Sequence, residues 1–185
     1  IIEDSLMVIE EEADRLSKMI DDLLDASRLQ AGGLSLSKND VSIQNLASQL
    51  AERFASQAGS RQISVHFPEL FPVISADETR IRQVLTNLIS NAIKYAPEGE
   101  IRISGEARPE QVIICVSDEG PGIDPKDMPL IFDRFYRAAE SVNKTKGAGL
   151  GLYLARAIVE AHGGRMWVDD SKSTPGARIC FSLPR

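Results

Sequence analysis

The first thirty residues place the tightest constraint on what this chain can fold into. Ile2, Leu6, Ile9, Ala13, Leu16, Ile20 and Leu23 follow one another in alternating steps of four and three. That is the a/d seam of a heptad repeat. Met19 and Leu24 widen it, and no Pro or Gly intervenes before Gly32-Gly33, which supplies a stop signal. The pattern predicts one helix over residues 1 to about 30. A helix with such a stripe must bury it somewhere. It can lie on its own domain, or pack in an intermolecular or multi-helix bundle. The regular seam and the charged opposite face favour the bundle.

That charge is local. The first 25 residues hold nine acids against two bases, whereas the other 160 hold 18 acids against 19 bases. The net charge of −6 therefore belongs to one helix face. A near-neutral remainder counts against nucleic-acid binding. No apolar run reaches the roughly 20 residues of a membrane-spanning helix, so no membrane contact is expected. The acidic start Ile1-Ile2-Glu3-Asp4 does not read as a signal peptide, and without an initial Met the chain reads as a fragment. Cys115 and Cys180 each stand in an apolar alternating run. Two buried structural thiols are expected, rather than a disulfide framework or a metal site.

Residues 31–40 read as a short hinge. Ser42 can cap a helix over about 43–57 that buries Ile43, Leu46, Leu50 and Phe54. Ile63, Val65 and Phe67 alternate as a strand, and residues 73–76 form a second. Asp77 is the candidate N-cap of a helix whose apolar stripe (Ile81, Leu85, Leu88, Ile89, Ala92) runs to Tyr95. Pro97-Glu98-Gly99 ends it. A hairpin pattern follows, with Ile101 and Ile103 going out and Val112–Val116 returning around Arg108-Pro109-Glu110. Residues 118–149 are irregular. A helix over about 150–162 ends at Gly163-Gly164, and residues 166–168 and 177–183 close the chain as strands. The sum is an α+β fold: a two-layer sandwich of a mixed, largely antiparallel sheet and three helices, preceded by one long amphipathic helix.

Three constellations carry chemistry. In Asn87-Leu-Ile-Ser-Asn91-Ala-Ile-Lys94-Tyr95, the two asparagines and the lysine share a helix face, read as lying opposite the apolar stripe. Asparagine is a mediocre helix former, so the pairing is odd for a merely solvated face. Amide oxygens suit a hard cation such as Mg²⁺ that also takes phosphate oxygens. Asp118-Glu119-Gly120-Pro121-Gly122-Ile123 follows a buried strand. Its glycines permit close backbone approach, and its carboxylate can accept from the exocyclic amine of adenine. Gly147-Ala-Gly149-Leu150-Gly151-Leu152 runs into a helix N-terminus, an anion site by its free N–H groups and dipole. It is no Walker loop, lacking Lys-Ser/Thr, and no Rossmann fingerprint, since no strand precedes it. Between them, Phe132, Phe135 and Tyr136 could pin one end of a lid of about ten residues, with Arg134, Arg137, Lys144 and Lys146 around the phosphates.

Taken in order, these segments resemble the histidine-kinase branch of the GHKL ATPases. NLISNAIKY is similar to the N box, DEGPGI to the G1 box, IFDRFYR to the F box and GAGLGL to the G2 box. STPGARICFSLP resembles the closing glycine segment and last strand. Residues 1–30 resemble the second helix of the dimerisation and histidine-phosphotransfer bundle.

The resemblance implies a Bergerat-like fold, with ATP and Mg²⁺ as cofactors. It implies domains at 1–30 (bundle helix), 31–40 (hinge) and 41–185 (catalytic). Asn91 would hold Mg²⁺ with Asn87 assisting, and Lys94 would contact phosphates. Tyr95, Asp118, Gly120 and Gly122 would form the base pocket. Lys146, Gly147, Gly149, Leu150 and Gly151 would cradle phosphates, and Arg137 would reach the γ-phosphate. The implied partners are a phosphotransfer helix carrying the acceptor histidine, a response-regulator receiver domain, and a second copy in a homodimeric parent. The implied setting is the cytoplasm, with a parent that can be membrane-anchored. The acceptor-histidine box itself is not among these residues. His66 falls in a strand and His162 at a helix end, and both read as structural. An anti-sigma-type serine kinase or a non-catalytic nucleotide sensor are the rival readings.

Overall fold

The computed structural model describes residues 2–30, 35–138, 148–171 and 176–185. The described elements are α1 (Ile2–Gln30), β1 (Asn39–Val41), α2 (Ile43–Ala58), β2 (Ile63–His66), β3 (Ile74–Ala76), α3 (Glu78–Tyr95), β4 (Ile101–Ala107), β5 (Gln111–Ser117), α4 (Gly151–Ala161), β6 (Arg165–Val168) and β7 (Arg178–Pro184). Both expected caps form. The Ser42 side chain accepts from the Asn45 N–H, and that of Asp77 from the Arg80 N–H. Each satisfies one donor that the first helical turn would otherwise leave unpaired.

Five strands form one sheet in the order β2-β4-β5-β7-β6. β2 runs parallel to β4, and every other pairing is antiparallel. Alternation decides the faces. Val112, Ile114 and Val116 of β5 and Ile179, Phe181 and Leu183 of β7 join the main core with residues of α2, α3 and α4. Ile113, Cys115 and Cys180 turn to the other face, beside Trp167. The helices thus cover one face of a mixed sheet, as the periodicities indicate.

Three expectations need correction. The segment read as hinge holds a strand: β1 begins at Asn39 and pairs antiparallel with β3. A three-residue strand completed by a partner some 35 residues away leaves no periodic mark. Cys115 and Cys180 are joined in a disulfide and are not free thiols. They stand directly opposite one another in the β5–β7 register, with Cα atoms 4.1 Å apart. Alternation places each on the outer face, but only the register puts them face to face. Finally, Asn87 is buried, at 5% exposure. Its position opposite the apolar stripe is covered by the start of α4, while Asn91 and Lys94 on the same face stay partly exposed.

α1 behaves as two pieces. Leu6, Ile9, Leu16, Ile20, Leu23 and Leu24 are exposed. Near its C-terminus the helix docks on the sandwich. Ala26 is buried against Leu150 and Leu154. Asp25 accepts from Arg80 at 2.7 Å and from Gln83 at 3.1 Å. Burial alone would push the Asp25 carboxyl up, but those bonds and the Arg80 charge outweigh it and hold it below its ordinary value.

Candidate functional site

One cleft of about 1220 Å³ gathers the three constellations, somewhat above the usual small-molecule range of about 300–1,000 Å³. Its lining includes Asn87, Asn91, Lys94 and Tyr95 from α3, Asp118 and Gly122 after β5, and Gly149, Leu150 and Gly151 at the start of α4. Residues far apart in sequence converge because β5 ends beside α3 and α4 packs across it.

Asp118 emerges from the central strand and is 9% exposed. Its backbone N–H donates to the Ala177 carbonyl, while its Oδ1 accepts from the N–H groups of Gly120 (2.9 Å) and Ala177 (3.2 Å). No described residue donates to Oδ2. Burial pushes the carboxyl up, opposed by the two backbone bonds. The carboxylate is therefore anchored on one oxygen, leaving the other for an amine donor. Gly120 has no room for a side chain: a Cβ there would stand 2.9 Å from that of Ala96.

The phosphate end is built around α4. Leu150 caps the helix without any side-chain hydrogen bond. The first helical bond runs from the Leu154 N–H to the Leu150 carbonyl. The N–H groups of Gly151, Leu152 and Tyr153 precede it, so they are the donors such an end offers to an anion. Gly149 adopts φ 70°, and its carbonyl accepts from the Phe135 N–H. A Cβ at Gly149 would come within 2.7 Å of the Tyr136 carbonyl. Backbone packed on backbone thus joins the aromatic segment to the cradle.

The asparagines divide their work. The Asn87 Nδ2 donates to the Gly151 carbonyl at 3.0 Å. That carbonyl can only accept, which fixes the amide's orientation and leaves Oδ1 as an acceptor. Asn91 is half-buried one turn further on, in the cleft wall. Two amide oxygens beside a phosphate cradle fit a hard cation that completes its shell with phosphate oxygens and water. The Lys94 ammonium lies 5.0 Å over the Tyr95 ring, and both residues line the cleft.

The other expected residues distribute unevenly. Arg137 lines the cleft. Arg134 does not; its guanidinium stacks at 4.8 Å on Phe135. Phe132 is buried and Phe135 is exposed. Lys144, Lys146, Gly147 and the expected lid lie outside the described residues. Sequence reasoning assigned no role to Ala177 or to Asp127. The Asp127 Oδ1 accepts from the Tyr136 hydroxyl at 2.7 Å and so braces one wall. It also missed that Met19 and Asp22 of α1 reach the cleft. The glycine segment before β7 was a signal for Ala177; nothing local marks Asp127.

Of the two histidines, His66 ends β2 on the surface, and His162 is buried with both ring nitrogens engaged.

Residues 76–185 match the family model described as histidine kinase-, DNA gyrase B-, and HSP90-like ATPase. The sensor histidine kinase WalK of Bacillus subtilis is 36% identical over 187 residues, covering 97% of this chain and 30% of WalK. The sensor protein SrrB of Staphylococcus aureus is 35% identical over 100% of this chain and 32% of its own length. The chain thus spans less than a third of the curated relatives it matches. Among solved structures, full-length ShkA in complex with AMPPNP superposes with a TM-score of 0.84 at 32% identity, over 94% of this chain and 36% of ShkA. The histidine kinase ThkA in complex with the response regulator TrrA gives 0.74 at 26%, over 96% and 49%. With its cleft, sheet order and family match in agreement, the chain belongs to the histidine kinase-, DNA gyrase B- and HSP90-like ATPases, as a catalytic domain of the sensor histidine kinase type.

Proposed function

We propose that this chain binds Mg·ATP and donates the γ-phosphoryl group to a histidine on a bundle helix outside these residues, for onward transfer to a response-regulator receiver domain. The observation that carries it is the convergence of an adenine-type acceptor, a pair of amide oxygens and an uncapped helix N-terminus in one cleft. Asp118 accepts from the adenine amine through its open oxygen. Gly120 and Gly122 shape that pocket, and Tyr95 lines it. The N–H groups at the start of α4 bind phosphate oxygens, with Lys94 adding charge. Asn91, assisted by Asn87, would hold Mg²⁺, which when bound neutralises charge on the phosphates. Arg137 reaches towards the γ-phosphate. Catalysis then rests on positioning and charge neutralisation.

In this reading residues 1–30 are the second helix of a dimerising bundle, 31–40 a connector and 41–185 the catalytic domain. The family match begins only at residue 76, but α2 and β2 pack into the same core.

Titration with a fluorescent ATP analogue tests the reading. The wild type should bind in a Mg²⁺-dependent manner, and Asn91→Ala should abolish that dependence. Asp118→Asn keeps an acceptor for Gly120 and Ala177 but turns an NH₂ towards the adenine amine. It should weaken binding by about tenfold or more, roughly one lost hydrogen bond to a charged group. Unchanged binding by Asp118→Asn would sink the assignment of the base pocket. Adding a separate fragment that bears an acceptor helix should yield phosphohistidine on that fragment and not on this chain.

A further inference from the structure

We propose that His162 is a positioning residue for the cleft: it sets where the N-terminus of α4 stands relative to the asparagines of α3. The proposal rests on the Mg·ATP reading above. His162 is the C-cap of α4 and is 4% exposed. Its Nδ1 lies 2.8 Å from the Ile158 carbonyl, which can only accept, so Nδ1 carries the proton. Nε2 is then bare and accepts from the Asp77 N–H at 3.0 Å. Asp77 is the N-cap of α3. Its Oδ1 accepts from Arg80 and its Oδ2 from the Ser37 N–H. The far end of the phosphate helix is thereby tied to the N-cap of the asparagine helix.

The near end is tied by Asn87 to the Gly151 carbonyl. The two ties are separated by roughly 15 Å of helix on each partner. One tie lets a helix pivot. Two at opposite ends fix slide and rotation together, and with them the distance between the amide oxygens and the phosphate-binding N–H groups. Small displacements matter there, because positioning supplies much of the function of such a site.

The tie needs a neutral ring. Burial lowers the pKa of His162; the Ile158 bond opposes that, the Lys38 charge adds to it, and the Asp77 charge opposes it. Once protonated, Nε2 would be a donor facing the Asp77 donor, and the tie would open.

The test uses the full chain, with Mg·ATP affinity measured by competition and backbone amides followed by ¹⁵N NMR. His162→Leu removes the acceptor. His162→Gln offers an amide oxygen in its place that does not titrate. The Leu variant should weaken Mg·ATP about tenfold and shift the Gly149 and Gly151 amides, while the Gln variant stays within roughly twofold. In the wild type, lowering the pH from about 7 to about 4.5 should move the Asp77 and both glycine amides with one midpoint below 6.5, and in the Gln variant it should not. A folded Leu variant with wild-type affinity and unmoved glycines overturns the proposal. Should that variant not fold, glycine amides that stay still while Asp77 titrates in the wild type overturn it equally. A wild type that binds no Mg·ATP overturns the functional reading instead, and the amide titration still decides whether His162 positions α4.

Discussion

α1 and the sandwich answer the same demand, burial of apolar surface, in opposite ways. The sandwich closes on itself: Phe181, Leu85, Ile89, Ile101, Ile114 and Leu154 are all fully buried. α1 carries a seam of comparable residues and leaves it open, with Leu6, Ile9, Leu16 and Ile20 each more than half exposed. Near its C-terminus Asp25 and Ala26 are held by the body of the protein, and Met19 and Asp22 reach the cleft wall. The sandwich thus buries its own apolar surface, whereas α1 keeps most of its seam exposed and has a small foothold on the sandwich. Even beside the foothold the seam stays open, with Leu23 46% and Leu24 51% exposed.

The contrast can be broken most directly in the core. Phe181→Ala should cost about 3–5 kcal/mol, whereas Ile9→Ala on α1 should stay within about 0.5 kcal/mol. Chemical denaturation of both variants checks this, and equal losses would erase the distinction. Next comes the disulfide, which closes a loop with a sequence separation of 65 between two sandwich strands. Its reduction should lower stability by about 2–4 kcal/mol through the entropy of the unfolded chain. The loss should appear in the denaturation of the sandwich and leave amide exchange in α1 as it was.

A smaller effect sharpens the foothold. Asp25→Ala removes two hydrogen bonds made by a charged group, and about 1–2 kcal/mol of docking should go with them. Hydrogen exchange should then rise in the last turns of α1 while the sandwich melts unchanged. Because the Asp25 carboxyl is held below its ordinary value, this docking is present above about pH 4 and is lost as the pH falls through the lowered value. The smallest effect has the opposite sign. Asp118 is raised by burial, so its folded form binds a proton more readily than its unfolded form. Its contribution falls as the pH climbs above 3.8. Asp118→Asn should therefore keep or slightly raise the melting temperature at neutral pH, even as it weakens nucleotide binding.

What was legible in the sequence is what is encoded locally. Ser42 and Asp77 announce helix starts because a cap acts within three residues. The alternation in β5 and β7 is a property of each strand alone. The three site constellations were readable because each is a short segment with its own chemistry. What stayed hidden depends on pairing between distant segments. The burial of Asn87 needs α4 above it. The Cys115–Cys180 bond needs the β5–β7 register. The β1–β3 ribbon exists only once α2 and β2 bring its halves together, and Asp127 acquires its role only through the Tyr136 hydroxyl.

The corner beneath the base pocket has a consequence for how such a sequence can drift. A Cβ at Gly176 would stand 2.0 Å from the Asp118 carbonyl oxygen, and one at Gly122 would stand 3.2 Å from that of Gly176. Both glycines also take positive φ. Main chain rests on main chain here, and no side chain exists that could shrink to make space. Elsewhere in the core a swollen residue can be answered by a trimmed neighbour. At this corner there is no such reply, so the two loops, more than fifty positions apart in the chain, must be inherited as one part.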